Sequence, residues 1–403
     1  MNRKLIFGRY DYAAFLTFAC YAMCSVIIPM CLVPLASDLH FPLQEGGMGM
    51  GGALQMGRSI PMTLMLLLCG LIGAKYGNRI SLGASLLTMA LGILLSSLAP
   101  GYWFLIPAIA VAGFGEGVIE GLATPFVNDL HDEDTGRYLN FSHSFWSVGV
   151  LTAVLCGGAL LSFGVSWRII TGGCALLALI PAAMLLIRGK DVRKNKSADA
   201  PPTAAELIRS AVTLFRTPRF LLYFAAIFLA GGGEYCLTFW TASFVQIEFG
   251  GTAWEAGFCT GVFALGMIVS RMAAGWFVAD KKIGKLIIWC GIGAAAVSIF
   301  FPFVHSFPLL VLLIFLSGMG TGPFWPSIQS LCAKRVEGSD TMIFIILSAS
   351  GVPGCGFFSM LMGIAGDMAG LQNSFFMVPF CFLFISLLIG ADMRIRRKGD
   401  NIK

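Results

Sequence analysis

Gly70-Leu71-Ile72-Gly73-Ala74-Lys75-Tyr76-Gly77-Asn78-Arg79 closes one long apolar stretch of this sequence. Gly275-Trp276-Phe277-Val278-Ala279-Asp280-Lys281-Lys282-Ile283-Gly284-Lys285 closes another, and the leading glycines are 205 residues apart. Gly113, Gly115 and Gly117 recur as Gly318, Gly320 and Gly322 at the same interval. Two independent matches at one offset argue for a duplicated unit, so the chain reads as two similar halves.

What each half is made of follows from composition. Of 403 residues, 57% are hydrophobic and 12% charged, and the mean hydropathy is +0.83. Soluble domains carry roughly 25% charged residues, which excludes a water-soluble fold. A helix needs about 20 apolar residues to cross the hydrocarbon core, and such stretches run almost end to end. A β-barrel would show strict two-residue alternation, which the runs 63–72 and 220–230 lack. Hydropathy places spans near 11–36, 47–73, 80–98, 102–128, 139–163 and 166–188, then near 218–244, 254–278, 285–304, 306–331, 341–366 and 371–391. The expected fold is an all-α membrane protein of twelve transmembrane helices in two pseudo-symmetric six-helix halves, 1–188 and 218–403, joined by a linker over 189–217.

The formal charge of +6 is explained by where the basic residues fall. With the N-terminus inside, only Arg168 of the 27 Lys and Arg residues reaches an outer loop, Arg58 and Arg271 lie within helices, and the rest are on the inner side. The positive-inside rule then sets both termini in the cytoplasm of a bacterial inner membrane. The linker holds Lys190, Arg193, Lys194 and Lys196, then Pro201 and Pro202, then an amphipathic segment around Leu207 to Phe215. Its basic run reads as a solvated juxtamembrane loop, not a nucleic-acid contact. The twelve cysteines sit singly in apolar segments, without metal-ligand or disulfide spacing. The basic start, Met1 to Tyr10, leads into an apolar stretch without a small-residue cleavage site and reads as a retained first helix.

The Gly-x-x-x-(Asp)-(Lys/Arg)-x-Gly-x-(Arg/Lys) pattern between the second and third spans, repeated more weakly between the eighth and ninth, resembles the signature loop of the major facilitator superfamily. The sequence departs from it at Ala74, where the acidic residue is usual, and in a second copy one residue longer with Asp280 displaced. The resemblance covers the whole chain. It implies alternating access about a midplane site lined by helices one, two, four, five, seven, eight, ten and eleven.

Charges at membrane depth point to the site. A lone ionised group at the bilayer centre costs about 3 kcal/mol or more and is seldom kept without a role. Arg58, Glu116, Glu120 and Glu234 lie deep in their spans, with Glu116 and Glu120 one turn apart on one helical face. Arg58 keeps its charge at any accessible pH and has room for one close glutamate. The other glutamate is then free to exchange a proton across the membrane, which is the physical requirement for coupling. A buried ion pair that only holds helices in register is the structural alternative. The glycine triplet at Gly113 follows no strand and reads as close helix packing, not a dinucleotide loop.

The string Gly113-Phe-Gly-Glu-Gly-Val-Ile-Glu120-Gly-Leu-Ala-Thr-Pro125-Phe126 looks like the fucose-proton symporter branch, in which a coupling glutamate stands five residues before a Pro-Phe pair. That position is Glu120. The run from Arg137 through Leu139 and Asn140 to Trp146 is similar to the branch's fifth helix, and Pro326 to Leu331 and Gly363 to Gly370 to its tenth and eleventh. The departures are Ser25, four residues before Pro29 where the branch has an aspartate, Trp146 in place of its sugar-contacting asparagine, and His143 in place of its glutamine. The branch's two-carboxylate relay is therefore not carried over. Arg58 and Glu116 are additions that the resemblance leaves unexplained.

The resulting expectation is a secondary transporter that takes up a sugar or related small polar metabolite with protons, sodium being the other ion considered. Glu120 and Glu116 are its proton-coupling candidates. Arg58, Trp146, Glu234, Tyr235, Trp325, Ser25 and His143 are its solute-binding candidates, the aromatics for stacking and Glu234 and Tyr235 for their Gly-rich setting at Gly231-Gly-Gly. Trp240 is a further aromatic of interest, and His143 carries an imidazole that titrates near neutrality. No cofactor, metal or nucleic acid is expected, and the carrier is read as a monomer. The rival reading is a proton-coupled exporter of organic anions or drugs, against which stands the absence of proline from Gly149 to Gly158. An enzyme is not expected, because no nucleophile or metal-ligand pattern appears.

Overall fold

A helix of 20 residues rises about 30 Å, the thickness of the hydrocarbon core. Twelve helices meet that length with an apolar window in the computed structural model, which describes residues 6–131, 135–187, 204–278, 280–338 and 340–400. The first six are α1 (Arg9–Met30), α2 (Met48–Tyr76), α3 (Asn78–Ser97), α4 (Tyr102–Leu130), α5 (Phe141–Ser162) and α6 (Trp167–Leu186). The second six are α7 (Pro218–Glu248), α8 (Ala253–Phe277), α9 (Ile283–Phe303), α10 (Phe307–Ala333), α11 (Met342–Ala369) and α12 (Leu371–Ile395). An even number of crossings returns the chain to the side on which it starts. All twelve expected spans are present.

Four spans are interrupted, the ninth after Ser298 and the twelfth after Ser374 as well as the first and the tenth. The first is interrupted at Cys31, and a short helix, Leu32–Asp38, follows the break. Pro29 supplies no amide hydrogen and its ring crowds the preceding turn, which weakens the last turn of the helix before the break. The tenth contains two pieces, Phe307–Thr321 and Phe324–Ala333, separated at Gly322-Pro323, where the proline has the same effect. Of the linker, residues 188–203 lie outside the described residues, as do the side chains of Arg137, Leu139, Asn140 and Asp280. Its amphipathic segment forms the helix Ala204–Phe215, which packs on α7 and α11 with Leu214 buried.

The halves repeat one packing plan. In the first, α1 packs on α5 and α6, α2 on α4, and α3 on α4 and α6. In the second, α7 packs on α11 and α12, α8 on α10, and α9 on α10 and α12. Each first-half contact recurs six helices later. The halves meet chiefly where α2 lies along α11 and α5 along α8, with a lighter contact between α1 and α7.

Both long seams are closed by glycine. A Cβ on Gly52 would collide with the Ser359 carbonyl and one on Gly363 with the Met48 carbonyl. On the other seam, a Cβ on Gly257 would collide with the Val154 carbonyl and one on Gly158 with that of Ala253. Each second-seam residue stands 205 positions from its first-seam counterpart, the interval of the sequence repeat. All four glycines lie toward the ends of their helices remote from the chain termini, so the bundle is zipped there.

At the termini end each half is tied differently. The α2–α3 junction turns at Gly77, whose φ of 79° is open to glycine and strained for other residues. Ala74 leaves that loop without its usual carboxylate. Asn78 instead donates to Asp129 at 2.7 Å, and Arg79 donates to the Leu185 carbonyl. In the second half, wholly buried Asp392 of α12 accepts from Arg219 and Tyr223 of α7 and from Arg335 beyond α10.

Candidate functional site

Gly113 lets α2 and α4 touch backbone to backbone, since a Cβ there would collide with the Arg58 carbonyl. That approach brings Arg58 against Glu116. Arg58 Nε donates to Glu116 Oε2 at 2.5 Å and Nη2 to Oε1, a bidentate pair. The third arm, Nη1, donates to the Ser25 carbonyl of α1 at 2.6 Å. Arg58 is 2% exposed and Glu116 fully buried. A guanidinium bound this way offers no open face to a solute, although a void of about 10 Å³ beside Arg58 and Gln55 has room for about one water.

Glu120, one turn along α4, has no guanidinium against it among the described residues. Its Oε2 accepts from the Tyr21 hydroxyl of α1 at 3.1 Å, and the residue is half-buried. His143 is exposed. Its Nε2 lies 3.0 Å from the Thr124 hydroxyl and its ring 4.6 Å from that of Phe18.

Polar groups continue into the second half. The Ser25 hydroxyl and the Tyr235 hydroxyl are 3.1 Å apart, linking α1 to α7. The adjacent Glu234 faces Arg271 of α8 at 3.7 Å, and Arg271 Nε donates to the Gly322 carbonyl at 2.8 Å. Trp146 and Ser147 of α5 face Thr238 of α7 and Thr260, Met267 and Arg271 of α8 across a cavity between the halves. Trp325 is half-buried with its ring over Gly351.

Ser25, Arg58, Glu116, Glu120, Glu234 and Tyr235 thus form one polar belt through the middle of the bundle, with Trp146 and Arg271 on the cleft beside it. Trp240 does not belong to this group. It is fully buried, its indole N–H donates to the Ser359 carbonyl at 3.0 Å, and it packs where the α2–α11 seam closes. Arg271 and Tyr21 are not among the candidates that the sequence singles out. Nothing in a single helix signals either partner, because both contacts are made between helices.

Residues 13–358 match the family model of the Major Facilitator Superfamily. Proteins of Salmonella named multidrug resistance protein MdtD, including that of Salmonella heidelberg strain SL476, are 25% identical over 298 residues. The match takes in 72% of this chain and 59% of theirs, so the chain spans about three fifths of the curated relatives it matches. Among solved structures, a mutant of the nucleoside transporter NupG superposes with a TM-score of 0.79 at 15% identity, over 95% of this chain and 98% of that one. A variant of the E. coli fucose:proton symporter FucP gives 0.64 at 18% identity, also over 95% and 98%. At such identities the likeness is one of fold.

Proposed function

The chain belongs to the major facilitator superfamily, and from that premise we propose that it takes up a small polar metabolite, a sugar or a related solute, together with a proton. The carrier is a multi-pass membrane protein. In this reading it works as a monomer in a bacterial inner membrane with both termini in the cytoplasm. Its halves, 1–188 and 218–403, rock about the polar belt while residues 189–217 tether them.

One observation supports this reading above the others. Arg58 engages Glu116 and leaves half-buried Glu120 with a neutral hydroxyl partner. A carboxyl group so placed keeps a hydrogen-bond partner in either protonation state, because the Tyr21 hydroxyl can donate to the carboxylate or accept from the carboxylic acid. Proton transfer therefore falls to Glu120, and Glu116 serves to hold Arg58. Trp146, Trp325, Tyr235, Ser25, His143 and Glu234 supply stacking and hydrogen-bonding groups for the solute, with Arg271 added to them. Arg58 acts on the solute site from behind, through the Ser25 carbonyl.

Reconstitution in proteoliposomes tests this directly. Uptake of radiolabelled sugars, nucleosides, amino acids and organic acids is measured with and without an inward proton gradient. Gradient-driven accumulation of at least one solute is expected. Glu120→Gln should lose accumulation and keep exchange of labelled for unlabelled solute across the membrane. Accumulation at the wild-type level by that variant removes Glu120 from the coupling role, and uptake indifferent to the gradient ends the proton reading.

The sequence likeness to proteins named for multidrug resistance favours a second reading, export of drugs or organic anions against protons. The same vesicles separate the two. A symporter accumulates solute when the outside is acidic, whereas an exporter oriented the same way accumulates it when the inside is acidic.

A further inference from the structure

The first amides of a helix have no partner within it, and a side chain normally caps them. α8 follows this rule. Thr252 Oγ1 accepts from the Glu255 amide at 3.2 Å while Glu255 Oε2 accepts from the Thr252 amide at 2.7 Å. Its counterpart α2, 205 residues earlier, has Gly47 at that position and no side-chain cap. None can be built there, since a Cβ on Gly47 would collide with the Pro42 carbonyl.

The missing partner comes from the other half of the protein. Asp367, in α11, accepts from the amides of Met48 and Gly49 at 2.6 and 2.8 Å, one on each carboxylate oxygen. On the twin seam the same position is Ser162 of α5, which accepts from the Trp254 amide alone at 2.9 Å. The pairs Gly49–Asp367 and Trp254–Ser162 are related by the repeat interval, so one contact is built twice with unequal chemistry. A carboxylate at a helix N-terminus also meets the positive end of the helix dipole, which a hydroxyl does not exploit.

We propose that Asp367 is the latch of the mouth remote from the termini: it caps α2 across the seam, so that mouth cannot open without stripping α2 of its cap. The α5–α8 seam carries no such penalty, because α8 keeps its Thr252–Glu255 cap when Ser162 leaves. The two seams are therefore unequal, and the α2–α11 seam sets the resting balance between the two facing states. This holds whatever solute the carrier takes and whichever group binds the proton.

Hydrogen–deuterium exchange of the full chain in lipid nanodiscs, with no solute added, tests the latch. Asp367→Ala should speed exchange of amides 48–52 about fivefold, the factor expected from losing a typical cap. The shift must also travel: residues 252–258 on the twin seam should exchange faster, and residues 138–147 and 264–274 at the termini end should become slower as that end closes. Asp367→Asn keeps an acceptor and should move every segment the same way by a smaller factor, which guards against misfolding of the alanine variant. Ser162→Ala should affect residues 252–256 only. Faster exchange confined to 48–52 in Asp367→Ala would mark a local cap and overturn the latch, as would unchanged exchange throughout.

Discussion

The two charged pairs in the middle of the bundle, Arg58–Glu116 and Arg271–Glu234, have the same chemistry and opposite settings. The first is bidentate, buried and finished by the Ser25 carbonyl. The second is a single approach at 3.7 Å with Arg271 about a third exposed on the cleft between the halves. A buried pair with every arm engaged resists change, since removing one partner strands the other charge in a low-dielectric interior. A looser pair on a cleft can part and close again as the cleft fills. The first half thus holds a fixed charge that frees Glu120, and the second holds a yielding one.

The largest effect expected from this contrast is on Arg58→Ala, which should lower unfolding stability in detergent by about 3–5 kcal/mol. Arg58→Met combined with Glu116→Leu should restore most of that, because no charge is left stranded. A double variant as unstable as the single one would show that the pair's partners, and not its charge, hold the site. Next, Tyr21→Phe should cost about 1 kcal/mol through its lost hydrogen bond to Glu120 and shift the pH at which uptake is half-maximal. An unchanged pH profile would separate Tyr21 from the coupling step. Smallest is the change in stability for Arg271→Ala, about 1 kcal/mol, because Arg271 is partly exposed and reaches buried Glu234 only at 3.7 Å, although solute uptake should fall severalfold. A stability loss matching that of Arg58→Ala would erase the distinction between the two pairs.

The spans and the duplication were legible because both rest on patterns within the chain, namely apolar length and a fixed interval. Depth in the membrane also singled out Arg58, Glu116, Glu120 and Glu234. Which glutamate Arg58 would take was not legible, since residues one turn apart share a face and the choice depends on how closely Gly113 lets α4 approach α2. Asp367 was read only as part of a family string. Its role needed the knowledge that α11 ends beside the start of α2, although the same 205-residue interval, applied to Thr252 and Gly47, already exposes a missing cap. Asp392 escaped notice among the charges of the termini end, where basic residues were read as setting orientation and not as ligands of a buried carboxylate.

Asp392 also bears on how force would move through the protein. One carboxylate gripping α7 twice and the chain beyond α10 once, from its seat on α12, welds three helix ends into a stiff rim. A push applied to that rim is not absorbed by sliding among its members. A half tied in this way would turn as a single lever, and a small tilt at the rim would become a wide displacement at the far mouth, about 30 Å away.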